Sequence, residues 1–155
     1  MITYPFGIED KDIFTNTIQE VKDKYPNWTF DLFECPEGVR NWDYTLSVYA
    51  SGGYNKTYQS ITPKSVEAWW KRGQKRNVVS WRYKFFGRND SIEDIENFTN
   101  KIVMDLKGVG CILTKTDKKQ KKYGCTYSFK KGQSVITLFS YNYGVTLHID
   151  KVRLP

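Results

Sequence analysis

Apolar side chains recur along this chain with two periods, and the change of period divides it into helices and strands. Over residues 9 to 25, Phe14, Ile18, Val21 and Tyr25 fall at spacings of four, three and four, which predicts a helix with one buried face. Asp10 and Asp12 suit its first turn, Lys22 and Lys24 its last, and Pro26 stops it. Residues 91 to 107 repeat the pattern with Ile95, Phe98, Ile102 and Leu106. Ser91 with Asp94, or Asp90 with Glu93, forms a capping box, and Gly108 is the expected C-cap. A third, short helix is expected over 63 to 72. Thr62 caps it, Pro63 takes its first position, and Gly73 ends it. It sets Val66, Trp69 and Trp70 on one side, with Lys64, Lys71 and Arg72 on the other.

Elsewhere the period is two. Residues 2 to 6 read as a short strand. Trp28, Phe30 and Leu32 alternate with Thr29 and Asp31, giving a strand with one buried face, and Pro36-Glu37-Gly38 turns the chain. Trp42, Tyr44, Leu46, Val48 and Ala50 then share a face. Pairing Phe30 with Leu46 and Leu32 with Tyr44 aligns the two apolar sets. Ser51-Gly52-Gly53 turns into a polar strand over 57 to 61. In 78 to 86, Val79, Trp81, Tyr83 and Phe85 oppose Ser80, Arg82, Lys84 and Phe86. A meander follows: 109 to 115, 123 to 130, 134 to 141 and 145 to 150. Its first two strands flank the lysine-rich loop Thr116 to Lys122, with Val109 facing Tyr127 and Cys111 facing Cys125. Strand 134 to 141 is apolar on both faces and is therefore expected to be central.

The expected fold is α+β: an antiparallel β-meander sheet, or two, with three helices packed on one face. At 155 residues the chain suits a single domain, 1 to 155, or two α-plus-meander halves, 1 to 62 and 77 to 155, joined by the short helix 63 to 72. The halves echo each other in element order and not in residue identity.

Composition narrows the partners. The chain has no apolar run long enough to span a membrane, and its start lacks a basic-then-apolar leader pattern, so a cytoplasmic, membrane-free protein is expected. The Asn-x-Thr/Ser triplets at Asn27, Asn55, Asn89 and Asn97 then carry no sugar. Cys35, Cys111 and Cys125 lack metal-ligand spacing, and a single histidine cannot complete a zinc site, so no cofactor is implied. The net charge of +7 is polarised. Residues 1 to 43 hold four basic and nine acidic groups, whereas 44 to 155 hold 20 and eight. Within 56 to 88 the count is nine to one, and within 115 to 131 seven to one.

The first basic segment is also aromatic. Residues 69 to 86 hold three of the five tryptophans and six of the 24 cations. Cations that track phosphates beside flat rings that stack bases are what single-strand binding requires. Lys71, Arg72, Lys75, Arg76, Arg82, Lys84 and Arg88 supply the charge, and Trp70 or Phe86 the stacking surface. Alternation gives Trp81, Tyr83 and Phe85 to the core. One of the adjacent tryptophans is left for solvent, because a short helix cannot easily bury both. Lys118, Lys119, Lys121 and Lys122 form a second cationic loop. Lysine without arginine favours point-charge attraction over base reading, although lysines at a hairpin tip also serve to keep an edge from aggregating.

Catalytic signals are weak. His148 precedes Asp150 by two residues, so both share a strand face, which is the usual arrangement of a surface pair. Glu20-Val21-Lys22 lies in a helix, and Gly108-Val109-Gly110 lacks the lysine of a phosphate-binding loop. The expected function is therefore non-catalytic, backbone-directed nucleic-acid binding of low sequence specificity, with single strands or RNA favoured. The competing class is an inhibitor or adaptor that covers an acidic surface of a nucleic-acid-handling protein or ribonucleoprotein. The Lys-, Asn- and Tyr-rich composition suits an anti-defence protein of a mobile element.

Overall fold

The computed structural model describes residues 14–24, 26, 29–40, 42–49, 65–85, 92–118, 124–141 and 144–152. These residues form an eight-stranded antiparallel sheet with two helices, one of them long, and not a sheet under three helices. The chain divides into two compact units, Met1–Tyr83 and Lys84–Pro155.

The first unit contains α1 (Ile18–Lys24), β1 (Thr29–Glu34), β2 (Trp42–Tyr49), β3 (Ser65–Lys71) and β4 (Val78–Phe85) as far as Tyr83, with the strands in chain order. The helix expected over 9 to 25 is shorter than its periodicity suggests. Thr17 is its N-cap: the Glu20 amide donates to the Thr17 hydroxyl oxygen at 3.1 Å, and the Val21 amide to the Thr17 carbonyl at 3.0 Å. Phe14 is buried but precedes the helix, and its carbonyl accepts from the Val78 amide at 2.9 Å. Residues 9 to 13 and Tyr25 lie outside the described residues, as do the strands expected at 2 to 6 and 57 to 61.

The short helix expected over 63 to 72 is instead β3 from Ser65 to Lys71. Val66, Ala68 and Trp70 are buried while Glu67, Trp69 and Lys71 are not, so the period is two. The competing helical signal came from Thr62 and Pro63, which lie outside the described residues. Cross-strand pairing with β2 overrides it, setting Leu46 against Ala68 and Thr45 against Trp69.

The β1–β2 register is displaced by two residues from the expected one, with Phe30 opposite Val48 and Leu32 opposite Leu46. The parity survives because the displacement is even. The turn begins at Pro36 and uses Gly38 at φ 81°, and the Cys35 amide donates to the Asp43 carbonyl at 2.6 Å. β1 also lacks the buried face expected of it: Leu32 and Phe33 are 47% and 54% exposed, as suits an outermost strand.

The second unit contains α2 (Ile92–Gly108), β5 (Ile112–Lys118), β6 (Cys125–Lys131), β7 (Ser134–Tyr141) and β8 (Gly144–Lys151), with strand order β8-β7-β6-β5. Ile95, Phe98, Ile102 and Leu106 of α2 are buried as expected, and the helix packs on β7 and β8. Its buried polar contact is ordered. The Thr99 hydroxyl donates to the Ile95 carbonyl at 2.7 Å, which leaves Ser140 to donate to Thr99 at 2.8 Å. The C-terminal glycine is Gly110, not Gly108. At φ 90° it lets the Gly110 amide reach the Lys107 carbonyl and the Cys111 amide the Leu106 carbonyl, the paired bonds of a Schellman motif. The Lys131 ammonium adds a bond to the Val109 carbonyl at 2.6 Å.

In β5 and β6 the register differs from the expected one. Lys118, not Cys111, lies opposite Cys125, and Thr116 lies opposite Tyr127. Thr116 to Lys118 therefore belong to a strand and not to the lysine loop. An irregularity between Leu113 and Lys115, which alternation cannot reveal, shifts the phase. β7 is paired on both sides, as its two apolar faces predict.

Candidate functional site

One face of the first unit carries a row of rings that crosses its strands. Phe33 on β1 lies 5.8 Å from Trp42 on β2 between ring centroids, and Trp42 lies 5.1 Å from Trp69 on β3. The Arg82 guanidinium on β4 then sits 3.8 Å above the Trp69 ring. The opposite face of the same strands is core: Leu46, Val66 and Trp70 have no exposure.

Trp42 joins this row because the β2–β3 ladder is irregular between Trp42 and Tyr44. Trp42 pairs with Lys71 while Tyr44 pairs with Trp70. Strict alternation puts Trp42 with Tyr44 and Leu46; the bulge turns it to the face of Trp69 and Lys71. Phe33 is likewise out of phase with the Phe30 and Leu32 set. Alternation therefore does not group Phe33, Trp42 and Trp69. The signal that could have set Trp69 apart is its odd spacing from Val66, Ala68 and Trp70, which counts only if 65 to 71 is a strand rather than a helix.

The rings are tilted by 56° and 45°. Inserting a flat base between two rings needs about 7 Å, two van der Waals layers, and these gaps are smaller. A planar ligand must therefore lie on the outward ring faces. Phe33 is 54% exposed, and Trp42, Trp69 and Arg82 are half-buried. The face is polarised along the strands. Lys71 and Arg82 lie beside the tryptophans, whereas Asp31 and Glu67 take the same side toward the other end, with the Trp69 indole N–H 3.4 Å from a Glu67 carboxylate oxygen.

The β3–β4 hairpin loop extends the cationic end. The Lys71 amide donates to the Asn77 carbonyl at 2.7 Å, and residues 72 to 76 form the tip, with Gly73 at φ 74°. Lys71, Lys75 and Arg76 are exposed, and Arg76 pairs with Glu20 at 3.1 Å. Arg72 is committed to the fold. It ion-pairs with Asp43 at 2.9 Å and donates to the carbonyls of Arg40, Pro36 and Trp42 at 3.0 to 3.2 Å. Asp43 also accepts from the Gly73 amide, so this one pair ties the β1–β2 loop to the β3–β4 loop.

The other candidates separate. Trp70 is fully buried and its indole N–H donates to the Asn16 carbonyl at 2.8 Å, so it offers solvent no ring face. Trp81, Tyr83 and Phe85 are buried, as alternation predicts. Lys84 is exposed on β4, and Lys118 is exposed on β5 in the second unit. Phe86, Arg88, Lys119, Lys121 and Lys122 lie outside the described residues.

His148 and Asp150 do share a face of β8. The His148 ring meets Phe139 edge-on at 4.9 Å, and the register sets His148 opposite Thr137 and Asp150 opposite Val135. Among the described residues there is no group of three or more His, Cys, Asp or Glu that could hold a metal. No described helix is long and apolar enough to cross a membrane. Among the described residues, two groups titrate away from their ordinary range. Burial pushes the Cys111 thiol up despite the nearby Lys131 ammonium, and burial, then the hydrogen bond and charge of Cys125, push Tyr127 up to about 12. No family model, curated protein or solved structure matches the chain.

Proposed function

We propose that this protein binds single-stranded nucleic acid without catalysis, laying it across the row Phe33, Trp42 and Trp69 with its backbone toward Arg82, Lys71 and the hairpin tip. The observation that carries this reading is the cation-capped ring row on the face opposite the core. A row of apolar rings kept off the core needs an outside partner to repay its exposure. Flat rings beside cations suit bases beside phosphates, with each stacked base contributing about 1–3 kcal/mol whatever its identity. Lys71 and Lys75 act as point charges along the phosphates, so affinity falls steeply with salt and little with sequence. RNA and single-stranded DNA both fit. The three free thiols suit a reducing compartment, so we place the activity in the cytoplasm.

Fluorescence anisotropy of labelled single-stranded homopolymers tests this. The expected result is binding to purine and pyrimidine strands alike at low salt, weaker binding to duplex, and a linear fall of log affinity with log salt. Failure to bind any of them at low salt refutes the reading. Capture of one protein from the native host that survives nuclease treatment and is lost on reversing Lys71 and Lys75 favours a protein-directed inhibitor instead.

A further inference from the structure

β1 is the outermost strand of its unit, paired with β2 alone among the described residues. Five of its six residues are exposed, Leu32 and Phe33 by 47% and 54%. Its backbone alternates between two sides. The Cys35 amide bonds to the Asp43 carbonyl, and in the same register Phe33 and Asp31 lie opposite Thr45 and Ser47, so these odd positions bond with β2. Phe30, Leu32 and Glu34 turn their amides and carbonyls to the open side, where no described residue meets them. β1 also contains no lysine or proline, the residues that commonly guard an exposed edge.

We propose that β1 is a homodimerisation edge. A second copy of this chain lays its own β1 antiparallel along it, with Leu32 opposite Leu32, Phe30 opposite Glu34 and Asp31 opposite Phe33. In this register every outward-turned residue meets an outward-turned residue, so the new ladder bonds along the strand. No like charges stand directly opposite. Glu34 of each copy arrives on the side of Phe30, where the Lys22 ammonium lies 5.7 Å from the ring centroid. The two Leu32 side chains cover each other at the dyad. A two-residue slip one way sets Asp31 against Asp31; the other way brings Pro36, which has no N–H, opposite Phe30. The strand is therefore complementary to itself, and the contact closes as a two-fold dimer instead of propagating. Its dyad is perpendicular to the sheet, so the ring rows of both copies lie on one face, with the two Phe33 residues at diagonal positions within aromatic reach.

Sedimentation velocity on nuclease-treated protein, from low-micromolar to millimolar concentration, tests the pairing. A contact between two short strands is small and hence weak, so the expected result is a mass that rises with concentration and stops at the dimer. Leu32→Lys removes the apolar contact and sets two ammonium groups opposite each other, while the bonds to β2 stay in place. It weakens dimerisation by about tenfold or more. Met104→Lys, at an exposed position on α2, leaves it unchanged. Leu32→Cys gives an independent readout, because opposed Cα atoms in a bonded pair lie about 5.5 Å apart, within disulfide range. With diamide as oxidant it forms a covalent dimer, and Val39→Cys, also exposed but off the strand, does not. A monomer at every concentration, growth past the dimer, a dimer that Leu32→Lys leaves intact, or equal cross-linking of both cysteine variants overturns the proposal.

Discussion

The Arg82 guanidinium, on the residue next to the fully buried Trp81, lies 3.8 Å above the ring of Trp69 on the neighbouring strand. That single contact fixes which tryptophan of the adjacent pair faces outward. It also places a cation at the end of the ring row, where a phosphate beside a stacked base would lie. Arg82→Gln removes the charge and keeps some length. It is expected to lower stability by about 0.5–1 kcal/mol through the lost cation–π contact. It should also reduce the salt dependence of oligonucleotide binding by about one phosphate. Urea denaturation and a salt titration of affinity read the two effects separately.

Trp70 and Trp69 are neighbours with opposite fates. Trp70→Ala empties a core site and leaves the Asn16 carbonyl without its indole donor, so a loss of about 3–5 kcal/mol is expected in urea unfolding. Trp69→Ala should cost markedly less stability and more affinity. Equal destabilisation by the two substitutions would show that the outward assignment of Trp69 is wrong.

Arg72→Lys tests whether the cation at position 72 is structural. Lysine keeps the charge but cannot fork among the Pro36, Arg40 and Trp42 carbonyls and the Asp43 carboxylate. A destabilisation of about 1–3 kcal/mol is expected, close to that of Arg72→Ala. If lysine restores wild-type stability, the fork contributes nothing.

Tyr127 gives the alkaline behaviour. Its folded-state value of about 12 exceeds the ordinary 10, so the folded protein holds the phenol proton more tightly than the unfolded chain. The contribution is complete below the unfolded value and lost as pH rises from 10 to about 12, where the unfolded chain binds fewer protons. Denaturation midpoints should fall across that window in wild type and fall less in Tyr127→Phe.

Legibility followed local physics. Helix α2 was readable because its four core positions, acidic first turn and basic last turn all agree, and the central place of β7 because both its faces are apolar. β3 was misread because Thr62-Pro63 imitates a helix start, while the strand identity of Ser65–Lys71 depends on pairing with a distant β2. The ring row was invisible for a related reason. A bulge at Trp42 reverses the face that alternation assigns, and nothing in the local sequence marks it. The cations of the hairpin tip were legible as a cluster. Which of them is occupied internally, as Arg72 is, depends on carbonyls contributed thirty or more residues away.

The most direct measurement is a tryptophan-fluorescence titration with a single-stranded homopolymer at low salt, comparing wild type with Phe33→Ala and Trp42→Ala. Stacking on the row predicts saturable quenching in wild type and an affinity loss of about 1–3 kcal/mol for each ring removed, with little change in stability for the exposed Phe33. Absence of quenching, or equal affinity in all three proteins, would contradict the assignment of this face as the binding surface.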